Sequence, residues 1–210
     1  MRPNIAGVHR ASALVRERRV VPGLPELDEV LPLGGLVAGS LMDLHAEEGT
    51  GAVALALRIA AHQQTQPTRA ARTIVFVDAM GDFYPQAAAQ AGVDFERLVV
   101  IRKTSSPKGP SGRADMTWLL ACLDETLRSR AIAAVVARVK RLDGPSSHRL
   151  RVAAESGGGL GLFVRPLDER TAVSAAAVRL LVAAAPRELV IQPLRVRGGV
   201  ALGPWHLRVP

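Results

Sequence analysis

The chain has 210 residues, of which 48% are hydrophobic and 22% charged, a balance that describes a folded protein with a full core and excludes a disordered one. Its 27 Lys and Arg against 19 Asp and Glu leave a net charge of +8, which permits nucleic-acid contact without demanding it. No apolar run approaches the roughly 20 residues of a membrane-crossing helix, and the lone Cys122 excludes an internal disulfide and a thiolate metal cluster. MRPNIAGVHR carries no apolar stretch of the secretory kind, so the expected location is cytoplasmic. Aromatic residues make up only 3%, so the core has to be built from Ala, Val, Leu and Ile.

Residues 2–19 carry Arg2, Arg10, Arg16, Arg18 and Arg19, with Ile5, Val8 and Val15 able to share a helical face. This predicts a basic arm over residues 1–20, ahead of one domain over 21–210. Pro22, Gly23 and Pro25 break the chain, Glu26 to Leu31 can make one or two helical turns, and Gly34, Gly35 and Gly39 mark turns into the first core strand.

That strand, Leu41 to Leu44, enters a Gly-containing turn from Glu47 to Gly51, and a helix over 52–64 leaves it. Strand, loop and helix in this order are the setting of a phosphate-binding loop, G-x-x-x-x-G-K-[ST]. Laid over Ala46 to Val53, the chain instead reads A-E-E-G-T-G-A-V. Ala46 stands at the first Gly and Gly51 at the second, while Ala52 and Val53 replace the Lys and the hydroxyl residue. Neither replacement can neutralise a β/γ-phosphate or ligate Mg²⁺. Gly49, Thr50 and Gly51 keep a helix N-terminus that would suit an anion, but Glu47 and Glu48 put negative charge beside it. The pattern reads as a nucleotide-hydrolase scaffold whose active site has been removed.

Beyond a polar loop from Gln63 to Ala71, Thr73 to Val77 is a β-branched run ending at Asp78, short enough for a buried strand. A helix is expected over Tyr84 to Ala91, a strand over Leu98 to Ile101, and a surface loop over Lys103 to Gly112. Asp115 is expected to cap a helix carrying Met116, Leu119, Leu120, Leu123 and Leu127 at helical period. Ile132 to Val136 reads as a strand, Ser146 and Ser147 as the start of a helix reaching Glu155, and Leu160 to Val164 as the next strand. Strands alternating with helices imply an α/β fold with a mostly parallel central sheet flanked by helices. The tail differs: Val178 to Val182, a turn at Pro186 to Glu188, Leu189 to Val196 and Trp205 to Val209 read as an antiparallel C-terminal extension. Trp118 and Trp205 are expected to be packing residues, and His45 and His148, far from any Cys, give no metal site.

Several segments, taken in order, resemble the RecA core. LPELDEVLPLGGLVAGSLMDL is similar to the approach to RecA's phosphate loop, and RTIVFVDAMGDFYPQAAAQAGVDFERLVV to the second strand and following helix. LRSRAIAAVVARV is similar to the strand that carries the Walker B Asp. Within that superfamily LPLGGLVAGSL, ADMTWLLACLDETLRS, RLRVAAESGGGLGLFVRP and LLVAAAPRELVIQPLRVRGG resemble ImuA, a RecA-like accessory protein of bacterial mutagenic repair. The resemblance covers about Val21 to Gly199. It implies a RecA-like core in which Met80 stands where a Glu would position the attacking water and Arg138 where the Walker B Asp would hold Mg²⁺. Each such loss costs on the order of 10²–10³ in rate, so the expectation is a non-enzyme with no cofactor and no metal.

The resemblance further implies an adaptor of SOS-induced translesion synthesis. Its partner would be ImuB, an inactive Y-family polymerase homologue, and through it an error-prone replicative-type polymerase, with RecA as a further contact and nucleoid association on assembly. The receiving surface by analogy would be Tyr84, Ala88 and Ala91 on the helix, with Leu98 and Val100 on the strand. RecA's DNA-facing loops correspond to 140–149 and 165–174, where Lys140, Arg141, Arg149, Arg165 and Arg170, with Arg151 just past the first loop, are offered for phosphate contact. Neither loop holds an aromatic residue, so base stacking is not expected. Two other readings stay open: a SulA-like inhibitor of cell division, and an active RecA-like ATPase or recombinase.

Overall fold

A computed structural model describes residues 20–21, 23–66, 71–103, 112–199 and 203–208, with the backbone alone at 112–115. The basic arm over 1–19 and most of the loop expected at 103–112 lie outside the described residues. In chain order the elements are β1 (Val20–Val21), α1 (Pro25–Asp28), β2 (Leu36–Val37), β3 (Leu41–Ala46), α2 (Ala52–Thr65), β4 (Thr73–Asp78), α3 (Pro85–Gln90) and β5 (Leu98–Arg102). There follow α4 (Gly112–Arg128), β6 (Ile132–Arg138), α5 (Gly144–Gly157), β7 (Leu160–Pro166), β8 (Val178–Ala185), β9 (Glu188–Val196) and β10 (Trp205–Arg208). Single 3₁₀ segments cover Phe95–Arg97 and Leu167–Thr171.

Among the described residues one eight-stranded sheet runs in the order β10-β9-β8-β3-β7-β6-β4-β5. From β8 to β5 every pairing is parallel, and β9 and β10 are added antiparallel. This is the expected mostly parallel sheet with an antiparallel C-terminal extension, the arrangement of a RecA-like core. Its central strands are near-continuous Val, Ile, Leu and Ala because both of their faces are covered. On one face α1, α2 and α3 pack with Leu44, Phe76, Val136 and Leu162; on the other α4 and α5 pack with Leu41, Val77, Val135 and Phe163. Trp205 packs against the first cluster and Trp118 against the second, both half-buried as expected of packing residues.

Several boundaries differ from the sequence expectations, each for a local reason. α2 ends at Thr65, one residue past the expected 64, so Gln63 and Gln64, where the expected helix and the expected polar loop overlap, are helical. Gln64 is buried because its amide closes hydrogen bonds with the Asp94 and Arg97 backbone, so a polar side chain there does the work of a turn. α4 begins at Gly112, which places Asp115 inside the first turn instead of at the cap. α5 begins at Gly144, two residues before the expected start, with Pro145 in its first turn and Asp143 accepting from the Ser146 amide as its cap. It ends at Gly158, whose φ of 77° is the left-handed turn that glycine makes without strain. Ala88 is fully buried under α3, because a six-residue helix lying on the sheet turns one residue per turn inward; it is therefore removed from the exposed partner surface.

Candidate functional site

The strand β3, the loop Glu47 to Gly51 and the helix α2 follow one another in the expected order. Gly49 and Gly51 have φ of 78° and 88°, and the Thr50 hydroxyl donates to the Glu47 carbonyl at 2.8 Å. The loop thereby folds back on itself and delivers the N-terminus of α2 to the carboxyl ends of the parallel strands, where open α/β sheets place their ligands. A cavity of about 840 Å³ lies there. Ala46, Gly49, Thr50, Gly51, Ala52, Val53, Met80 and Arg138, scattered over three segments of sequence, all line it. Lys140, Arg141, Asp168 and Glu169 line it as well, so its walls mix both signs of charge. At the first turn of α2 the side chains are aliphatic, Ala52 buried and Val53 half-buried.

Arg138, the last residue of β6, is engaged on both sides. One guanidinium nitrogen donates to Glu48 Oε1 at 2.8 Å, and the other pairs with the Asp82 carboxylate. Below Asp82 the loop after β4 is tied by Asp78. That carboxylate accepts from the Asp82 and Phe83 amides at 3.0 and 3.3 Å and from Arg102 Nε at 2.8 Å. Burial alone would raise the Asp78 pKa, but the Arg102 guanidinium and the two amides outweigh it and hold the carboxyl below its ordinary value. Asp78 is thus a loop anchor.

Sequence reasoning overlooked a second polar group, buried beneath the cavity between β3, β7 and β8. Asp43 Oδ2 accepts from Arg165 Nη1 at 3.1 Å and from Ser174 Oγ at 2.7 Å, with Arg179 Nε 3.7 Å away. Arg165 reaches on to Glu169 Oε2 at 3.0 Å, and Arg179 Nη2 lies 3.0 Å from the Arg170 carbonyl. His45 Nε2 lies 3.2 Å from the same Arg179 nitrogen and its Nδ1 3.3 Å from the Pro166 carbonyl. A neutral ring protonated on Nδ1 satisfies both contacts, and burial, assisted by the two guanidinium groups and opposed by Asp43 and the carbonyl, lowers the His45 pKa. The signal for this group was present: Asp43, His45 and Arg179 interrupt strands that are otherwise aliphatic.

This network corrects the set of residues offered for DNA. Arg165 is 1% exposed, inside β7, because Asp43 and Glu169 claim its guanidinium; it cannot reach a phosphate outside. Arg149 lies on α5 beside Asp124 of α4, and Arg151 pairs with Glu155 one turn on. Lys140, Arg141, Arg149 and Arg170 are exposed. The other proposed surface lies at the opposite end of the sheet, where β5 is an edge strand among the described residues. There Tyr84 is 62% exposed, and Ala91, Leu98 and Val100 are half-buried against the core. Phe95 and Val99 add exposed apolar area that the sequence reading did not include.

No protein-family profile matches the chain. It is 31% identical over 118 residues to the RecA protein of Acidothermus cellulolyticus, covering 56% of this chain and 30% of that protein. It is 30% identical over 118 residues to the mitochondrial DNA repair protein recA homolog of Dictyostelium discoideum, covering 56% of this chain and 23% of the relative. With the RecA protein of Mycobacteroides abscessus the identity is 26% over 169 residues, 73% of this chain and 47% of that one. The chain therefore matches less than half the length of each of these relatives.

Proposed function

We propose that this chain, a distant homologue of RecA, is a RecA-like accessory protein of DNA repair that recognises partners and does not turn over ATP. The observation that carries the reading is the state of the phosphate-loop end of the sheet. Ala52 and Val53 stand at the first turn of α2, and Arg138 is paired with Glu48 and Asp82 at the end of β6. A cation there disfavours a divalent metal, and aliphatic side chains give a triphosphate nothing to hold. What a RecA-type core retains without that chemistry is surface.

The more specific reading is an ImuA-type adaptor of error-prone translesion synthesis. It would bind the inactive Y-family polymerase homologue ImuB and, through it, an error-prone replicative-type polymerase, with RecA as a further contact. The edge strand β5, which carries Leu98 and Val100, together with Tyr84 and Ala91 at the ends of α3, supports this role, since an exposed sheet edge accepts an extended partner segment by main-chain hydrogen bonds. Co-purification of the chain with ImuB, with and without MgATP, is the test. Nucleotide-independent association supports the adaptor, and failure to associate when both proteins are folded overturns it. Phosphate release that disappears when the 47–53 loop is changed would restore the enzyme reading. Lys140, Arg141 and Arg170 are the residues proposed for non-specific contact with DNA.

A further inference from the structure

We infer that Arg138 is a built-in clasp that holds the two loops of the phosphate-loop end together, doing from within the chain what a bound ligand does in nucleotide-driven proteins. In such proteins, loops on either side of a nucleotide are ordered by phosphate and metal contacts and released when these go. Here Glu48 comes from the loop after β3, Asp82 from the loop after β4, and both carboxylates end on one guanidinium at the tip of β6. The partners are 90 and 56 residues from Arg138 in sequence, so the pairing ties separate parts of the fold.

Three features distinguish the clasp from a chance surface pair. The Arg138 side chain is only 25% exposed, although Glu48 is 87% and Asp82 41%, so the cation is fixed and the anions come to it. Asp78 accepts from the Asp82 and Phe83 amides, so the carboxylate that Arg138 meets stands on backbone already tied to the end of β4. The guanidinium also lines both the 840 Å³ cavity and a neighbouring cleft of about 490 Å³ between α2 and α3, and so forms part of the boundary between them. A planar fork suits this bridging task, whereas an ammonium is a single point charge. The arrangement joins the two loops through side chains of the chain itself.

Hydrogen–deuterium exchange on the full chain tests the clasp. Arg138→Ala is expected to speed amide exchange roughly three- to tenfold at both 47–51 and 80–84, with the central strands unchanged. Arg138→Lys is expected to restore protection in part. The decisive variant is Asp82→Asn, which must also loosen 47–51, the loop it does not belong to; loosening confined to 80–84, or no change with Arg138→Ala, overturns the clasp. The outcome is separable from the partner reading, since failed co-purification leaves the exchange result standing and unchanged exchange leaves co-purification standing.

Discussion

Asp43 shows how much a single buried carboxylate can carry. It receives Arg165 and Ser174 and sits near Arg179, all in the interior between β3, β7 and β8. Replacing one member of such a group strands the others, so Asp43→Ala is expected to cost about 3–5 kcal/mol, read from the urea midpoint at constant slope. His45, beside it, makes stability depend on pH. Its folded-state pKa is lowered, so the unfolded chain binds the extra proton, and the contribution is complete above the unfolded value of about 6.5. Stability is therefore expected to fall as pH drops below about 6.5, and His45→Gln should remove that part of the slope in unfolding titrations from pH 8 to 5. Asp78 acts at lower pH with the same sign: its depressed pKa stabilises the fold above about pH 4, and that share is lost as pH falls through the folded value.

At the scale of elements, the α4–α5 pair depends on the absence of a side chain. The backbone at Gly157 lies so close to the end of α4 that a Cβ would overlap the Leu127 carbonyl. Gly157→Ala is expected to cost about 1–3 kcal/mol by thermal or urea unfolding, because backbone and not a flexible side chain has to give way. At the other end of α5 the Asp143 cap is worth about 1 kcal/mol, so Asp143→Ala is the milder comparison. The sequence made these elements legible where periodicity and punctuation agree: TIVFV became β4, and the glycines at 157–159 closed α5. It was ambiguous at Gln63 and Gln64, which the helix expected over 52–64 and the polar loop expected from Gln63 both claimed; they are helical. The buried amide of Gln64 is satisfied by the Asp94 and Arg97 backbone, about 30 residues away in sequence.

For the whole molecule, charge and its placement separate two kinds of basic residue. Lys140, Arg141 and Arg170 are exposed, whereas Arg165 is interior. Exchanging the first three for Ala together is expected to weaken binding to single-stranded DNA and to reduce the slope of log K against log salt by roughly 2. Arg165→Ala, in contrast, is expected to destabilise the fold, as its midpoint in urea would register. What the sequence determined by itself was local: which runs are strands, and which glycines end a helix or turn the chain. Strand order decided the rest. Placing β3, β6 and β4 within one sheet brings Glu48, Arg138 and Asp82 to one point, and placing β7 and β8 on either side of β3 brings Arg165 and Arg179 onto Asp43. Periodicity records which face of a strand is buried; it carries no record of which strand lies alongside, and ion pairs between segments form only once that neighbour is fixed.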